Sequence, residues 1–201
     1  MPLAPLPRLA ALAVALAALA ALAAQLAVSL GLAGSLPAAL WAMGRFFTIL
    51  TNSLVLASFG VMAARGRALP AAWLAGLALW IAIVGVVYHL LLAALSDPVG
   101  LAWWADQGLH SAVPVLAVLW WVGFAPKPGL GWHHAVLWLG WPLAYSVYAL
   151  GRGALDGRYP YPFLDVAALG YGGVALNALG MTAGFLAAGL AVVALSRRLS
   201  R

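Results

Sequence analysis

Six apolar runs, each about the length needed to cross a bilayer, govern what this chain can fold into. They cover residues 9–32, 46–64, 71–95, 102–124, 134–150 and 168–195. A helix needs roughly 20 mostly apolar residues to span the hydrocarbon core. The breaks between runs, such as "GRALP", "SDPVG", "APKPGLG" and "DGRYPYP", are rich in the turn residues Gly, Pro and Asp. Charged residues make up 7% of the chain, against roughly 25% in soluble domains. Such a chain cannot coat itself with polar surface, so its solvent is lipid. The expected fold is all-α: one integral membrane domain over residues 1–201, a polytopic bundle of six transmembrane helices. The first run, "ALAVALAALAALAAQLA", resembles a signal peptide, yet it exceeds the 7–15 apolar residues typical of one. An uncleaved helix is expected there. The absence of cysteine excludes disulfides, thiolate nucleophiles and Cys-ligated metals.

Charge gives the bundle a direction, because Lys and Arg favour the cytoplasmic side. With the N-terminus inside, the inner segments carry Arg8, Arg65, Arg67, Lys127, Arg197, Arg198 and Arg201 and no acid. The outer segments carry Arg45, Arg152 and Arg158 together with all four acids, Asp97, Asp106, Asp156 and Asp165. The net charge of +6 thus reads as topology, N-in and C-in, rather than as a nucleic-acid surface, and no nucleic-acid partner is expected. The expected location is the cell membrane, multi-pass, which in a bacterium is the inner membrane.

The second run opens with "RFFTILTNS", residues 45–53, where five polar side chains interrupt an apolar pattern. On a helix, Arg45, Thr48 and Asn52 fall within about 60° of one another, and Thr51 lies about 60° to the side of Thr48. The fourth run contains "DQGLHSAVP", which puts Asp106 and His110 four residues apart on one face. The third run carries Tyr88 and His89 near its outer end. At about 1.5 Å per residue, Thr48 lies roughly 5 Å and the two histidines roughly 9 Å below the outer surface. The inner half of the runs is nearly pure Ala, Leu, Val and Gly. Polar groups are costly against lipid, so this outer layer should face the bundle interior.

Each residue has a structural explanation when taken alone. A membrane threonine back-bonds to the preceding turn, Asn and Tyr join helices by hydrogen bonds, and Arg45 can snorkel to lipid phosphates. A shared layer is less easily explained that way. Nucleophilic chemistry fits it: a threonine hydroxyl needs a base within reach, and a histidine such as His110 can supply one, since an imidazole ordinarily titrates near neutrality. Asp106 can fix the His tautomer, and Arg45 or Asn52 can donate to a developing oxyanion.

The same residues carry a resemblance. "GRFFTILTN", "GLHSAVP" and "YPYPFLD", in that order within residues 40–195, resemble the androgen-induced protein family. Its animal members are six-helix membrane proteins that hydrolyse fatty acid esters of hydroxy fatty acids, and it has bacterial relatives. The resemblance implies that Thr48, following Arg45, Phe46 and Phe47, is the nucleophile. It also implies that His110, four residues before Pro114, is its partner. Asp106 stands where that pattern would lead us to expect Asn, and Thr51 is a second threonine one turn on. Arg45, Asn52, Asp106, Asp165, His89 and Thr51 are the expected supporting residues, Asp165 because it ends the third motif.

The expected function is therefore a membrane-embedded hydrolase of fatty acyl esters, with membrane lipids around it, an ester drawn from the bilayer as substrate, and no metal or cofactor. A non-enzymatic lipid-binding or structural membrane protein is the alternative, and the distance from the Thr48 hydroxyl to His110 Nε2 bears on that choice. A transporter is disfavoured because the inner half offers no polar path. A metal or haem site would require His89 and His110 to turn on a common centre.

Overall fold

The structure is a computed structural model that describes residues 1–200; Arg201, counted among the inner charges, lies outside the described residues. The chain is 82% helical, with no strand among the described residues. The helices are α1 (Pro5–Ala33), α2 (Leu36–Met43), α3 (Phe47–Arg65), α4 (Ala71–Leu95), α5 (Leu101–Phe124), α6 (His133–Leu137), α7 (Gly140–Asp156) and α8 (Val166–Leu199). Five of them, α1, α3, α4, α5 and α8, are long and apolar enough to cross a membrane.

Two departures from the sequence reading have local causes. The first is α2, which was not expected. Ser35 caps it, its Oγ accepting from the Ala38 N–H at 3.4 Å, and Pro37 sits in the first turn, where the missing N–H costs nothing. The second is the run 134–150, which is not one helix but α6 and α7, five and 17 residues long. A continuous helix would bury Pro142 in its interior and lose a hydrogen bond. The break at Trp138–Leu139 instead places Pro142 in the first turn of α7.

Residues Met1–Pro128 form one compact unit and those from Gly129 onward a second. In the first unit α1 packs on α3, α3 on α4, α4 on α5, and α5 returns to α1, so four helices enclose one core. The buried face of α1 is Ala11, Val14, Ala15, Ala18 and Ala21, spaced by one helical turn. Small side chains on such a stripe let backbones approach closely, which is how membrane helices gain packing energy. Gly108 of α5 lies against α1: an added Cβ there would stand 2.7 Å from the Ala21 Cβ. Trp120 Nε1 donates to Pro7 O at 2.9 Å and ties the far half of α5 to the start of α1. Lys127 folds back on the end of α5, its Nζ donating to the carbonyls of Trp121, Val122 and Ala125 at 2.7, 3.1 and 2.9 Å. Loss of solvation draws its pKa below the ordinary lysine value.

In the second unit α6 packs on α8, with Gly189 allowing the Ala135 backbone within 3.2 Å of where a Cβ would be. Asp165 caps α8, and Asn177 Nδ2 donates to Phe163 O at 3.1 Å. The left-handed φ of 66° at Gly170 interrupts α8 near its start.

The α1–α5 contact gives a direct stability test. Gly108→Ala should cost about 1–3 kcal/mol, the usual range for overpacking, when unfolding is followed in detergent. Ala21→Gly in the same chain should recover part of that loss, because it removes the atom the new methyl meets. Gly123→Ala, where no atom lies within 4 Å of the added Cβ, should be close to neutral. Equal stability of Gly108→Ala and the native chain would mean the two helices are not in contact there.

Candidate functional site

Two π-helical turns define the site. In α4 the Ala93 N–H reaches Tyr88 O, and in α5 the Val113 N–H reaches Gly108 O, each closing over five residues. The second turn has a cause in the sequence. Pro114 has no N–H, so it cannot serve the His110 carbonyl four residues earlier or the Leu109 carbonyl five residues earlier. The α-helical donor for Leu109 O, the Val113 N–H, is already committed to Gly108 O. Gly85 of α4 lets the helices close on this spot: a Cβ there would stand 3.0 Å from His110 O and 3.4 Å from Pro114. The two turns bring Tyr88 and His110 face to face, ring centroids 3.9 Å apart and planes 9° from parallel.

A chain of polar contacts runs through that stack. Thr48 Oγ1, in the first turn of α3, is 3.3 Å from His110 Nε2. His110 Nδ1 is 3.0 Å from Asp106 Oδ1 and 3.1 Å from Asp106 O. A carboxylate and a carbonyl only accept, so Nδ1 carries the proton of the neutral ring and Nε2 accepts from the Thr48 hydroxyl. The second carboxylate oxygen, Asp106 Oδ2, accepts from Tyr88 OH and, at 3.3 Å, from Gln107 Nε2. The His110 and Asp106 side chains are each 15% exposed.

Asn52 corrects one expectation. It is fully buried, and its Nδ2 donates to Thr48 O at 2.9 Å and to Leu109 O at 3.2 Å. Both amide hydrogens are thereby spent, so Asn52 has none left for an oxyanion. Its role is to join the first turn of α3 to the π turn of α5 and to satisfy the carbonyl that Pro114 leaves open.

Arg45 is buried in the turn that leads into α3, and Thr51 lies fully buried one turn beyond Thr48. The Thr48 hydroxyl lies within hydrogen-bond reach of His110. His89 is exposed. Its Nε2 is 3.0 Å from Ser111 Oγ, which donates to Gln107 Oε1 at 3.0 Å. The nitrogens of His89 and His110 therefore go to different partners, while Tyr88 touches both rings. Asp165 belongs to the second unit, where its Oδ1 accepts from the Ala167 and Ala168 N–H groups at 2.9 and 3.2 Å.

On sequence alone Tyr88 falls in the polar layer without a task, and Gln107, Gly85 and the Leu109 carbonyl are not among the expected site groups. The proline after "GLHSAV" was the available signal, since it marks the residue whose missing N–H disturbs the ladder. Compared with protein-family models, with curated proteins and with solved structures, the chain gives no match.

Proposed function

We propose that this chain is a membrane-embedded hydrolase of fatty acyl esters in which Thr48 is the acyl-accepting nucleophile and His110 its general base. The observation that carries the reading is the line Thr48 Oγ1 – His110 Nε2, 3.3 Å, continued by His110 Nδ1 – Asp106 Oδ1, 3.0 Å. In the proposed cycle Thr48 Oγ attacks the ester carbonyl carbon and its proton passes to His110 Nε2. The tetrahedral intermediate collapses to acyl-Thr48, and the departing alcohol takes the proton back from His110. Water then attacks the acyl group with His110 again as base, releasing the carboxylic acid and restoring the hydroxyl. Asp106 holds the imidazole in the productive tautomer and stabilises its cationic form. Asn52, with both amide hydrogens committed to carbonyls, is not an oxyanion donor in this cycle.

The substrate class follows from the surroundings. Exposed Phe46, Leu90 and Leu91 adjoin the polar chain, and such a site admits an acyl ester from a leaflet more readily than a water-soluble metabolite. The motif resemblance to the androgen-induced protein family supports the same class. The alternative is a non-catalytic layer that only packs helices.

The proposed topology keeps both termini inside, with α6 and α7 completing a sixth crossing. The chain has no cysteine of its own, so single-cysteine variants report cleanly. Cysteines at Arg67 and Gly129 should react only from the cytoplasmic side, and one at Val99 only from the outside. The reverse pattern would sink the topology and the outer placement of the site.

Thr48→Ala and His110→Ala should each abolish hydrolysis of long-chain acyl esters and labelling by a fluorophosphonate probe, while the protein stays inserted and folded. Triad residues that act as a unit cost about 10⁴–10⁶ in kcat, and losing both costs little more than losing one. Thr51→Ala should keep substantial activity. If Thr48→Ala is active and Thr51→Ala is dead, the nucleophile lies one turn further on; if all three are active, the layer only packs helices.

Tyr88→Phe separates positioning from packing. It keeps the ring on His110 and removes the hydroxyl from Asp106. The expected result is a drop in kcat of about tenfold, the effect of losing roughly 1.4 kcal/mol of transition-state stabilisation, with KM and thermal stability nearly unchanged. A loss of stability with unaltered kcat would make Tyr88 a packing residue only.

A further inference from the structure

The first unit has a second feature, about 18–24 Å from Thr48 by helical rise along α3. An open groove of about 610 Å³ lies between α1 and α3, lined by Leu9, Leu12, Gly60, Ala63 and Ala64, with Arg8 at its rim. Its volume falls in the range of small-molecule sites, about 300–1,000 Å³. The floor is made of small residues, and no atom lies within 4 Å of a Cβ added at Gly60. Leu9 and Leu12 are exposed along the wall.

The rim is strongly basic. Arg8 Nε donates to Ala63 O at 2.7 Å and Nη2 to Ala64 O at 3.2 Å, which fixes the guanidinium and leaves Nη1 without an acceptor among the described residues. The N-terminal segment is pinned to the α3–α4 turn by Leu3 N–H to Gly66 O at 2.8 Å and Ala68 N–H to Met1 O at 2.9 Å. The exposed Arg65 and Arg67 flank Gly66 in that turn, where a Cβ would meet the Arg8 guanidinium at 3.6 Å. Neither the segment 1–12 nor 60–70 contains an acid. Arg8 thus stands at the rim of a groove that is otherwise aliphatic, and Arg65 and Arg67 lie on the adjoining turn, either side of the glycine that touches the Arg8 guanidinium.

We propose that this groove binds a phospholipid with an anionic headgroup, its phosphate on Arg8, Arg65 and Arg67 and one acyl chain along Leu9, Leu12 and Gly60. Charge complementarity selects the occupant: an apolar channel takes an acyl chain of any lipid, but three uncompensated arginines favour a net-negative headgroup over choline, whose ammonium they repel. Basic pockets between transmembrane helices recognise anionic headgroups in this way. The proposal rests on the chain being in a membrane and is independent of the esterase reading.

The test is native mass spectrometry of the full-length protein released from detergent, titrated with phosphatidylglycerol and with phosphatidylcholine of the same acyl chains. Phosphatidylglycerol should be retained at least about fivefold better, the effect of roughly one basic residue against an anionic headgroup. Arg67→Gln and Arg65→Gln, which leave the Arg8 contacts intact, should each lower that retention about fivefold. Gly60→Leu fills the groove without touching an arginine and should abolish both the retention and the thermal stabilisation by phosphatidylglycerol. If Gly60→Leu fails to fold, the two arginine variants decide. Equal retention of the two lipids, or retention indifferent to these substitutions, overturns the proposal. Equal stabilisation by inorganic phosphate would show an anion site that needs no acyl chain and overturns it as well.

Discussion

A backbone carbonyl in an apolar medium must find a donor within the protein, because lipid supplies none. The Leu109 carbonyl is the point at which this rule shapes the first unit. The π turn takes its α-helical donor, and Pro114 removes the alternative. Asn52 Nδ2 fills that role from α3, and its second hydrogen goes to Thr48 O. One buried amide therefore ties together the backbones that carry Thr48 and His110. The distance between the two side chains is a consequence of a carbonyl being satisfied, and the geometry does not depend on the hydroxyl and imidazole finding each other. On the proposed reading this is preorganisation: the turn is held whether or not a substrate is present.

The cost of that arrangement shows in the same residue. Asn52 Oδ1 is buried with no hydrogen-bond partner. A flipped amide would aim this oxygen at two carbonyls and repel both, so the observed orientation is the better of two imperfect choices. Leaving such an acceptor unpaired costs about 1–3 kcal/mol, and the two bonds made by Nδ2 offset it. Asp106 shows the opposite economy. Its two oxygens receive Tyr88, Gln107 and His110, so a largely buried carboxyl group among apolar helices is well provided with donors by the protein.

Much of this was legible because it follows from period and charge. Long apolar runs gave α1, α3, α4, α5 and α8, and a four-residue spacing placed Asp106 beside His110. Depth alone put Thr48 and His110 in one layer. What was hidden depends on how two helices meet. The tie between Tyr88 and Asp106 crosses from α4 to α5, and spacing within one run does not give the rotation of one helix against another. The task of Asn52 is hidden for a different reason: composition reveals a donor but not the carbonyls that compete for it. Hydropathy alone makes 134–150 a single span, because it does not register the backbone consequence of Pro142.

The basic residues obey the same carbonyl rule at the other end of the first unit. Arg8 donates to Ala63 and Ala64 at the end of α3, and Lys127 to Trp121, Val122 and Ala125 at the end of α5. A cation at a helix C-terminus satisfies open carbonyls and opposes the negative end of the helix dipole. On the proposed topology α3 and α5 both end inside, where positive charge is favoured on other grounds. Topology and capping then ask for the same side chain at the same place. The C-terminal ends of α1 and α4 would lie outside, and neither carries a basic residue in its last turn apart from His89 in the π turn of α4. Gly34 ends α1 with its own N–H on Leu30 O, so the outward-ending helix closes with backbone where the inward-ending ones use charge. On that topology the positive excess of the inner segments is also part of how these helices stop.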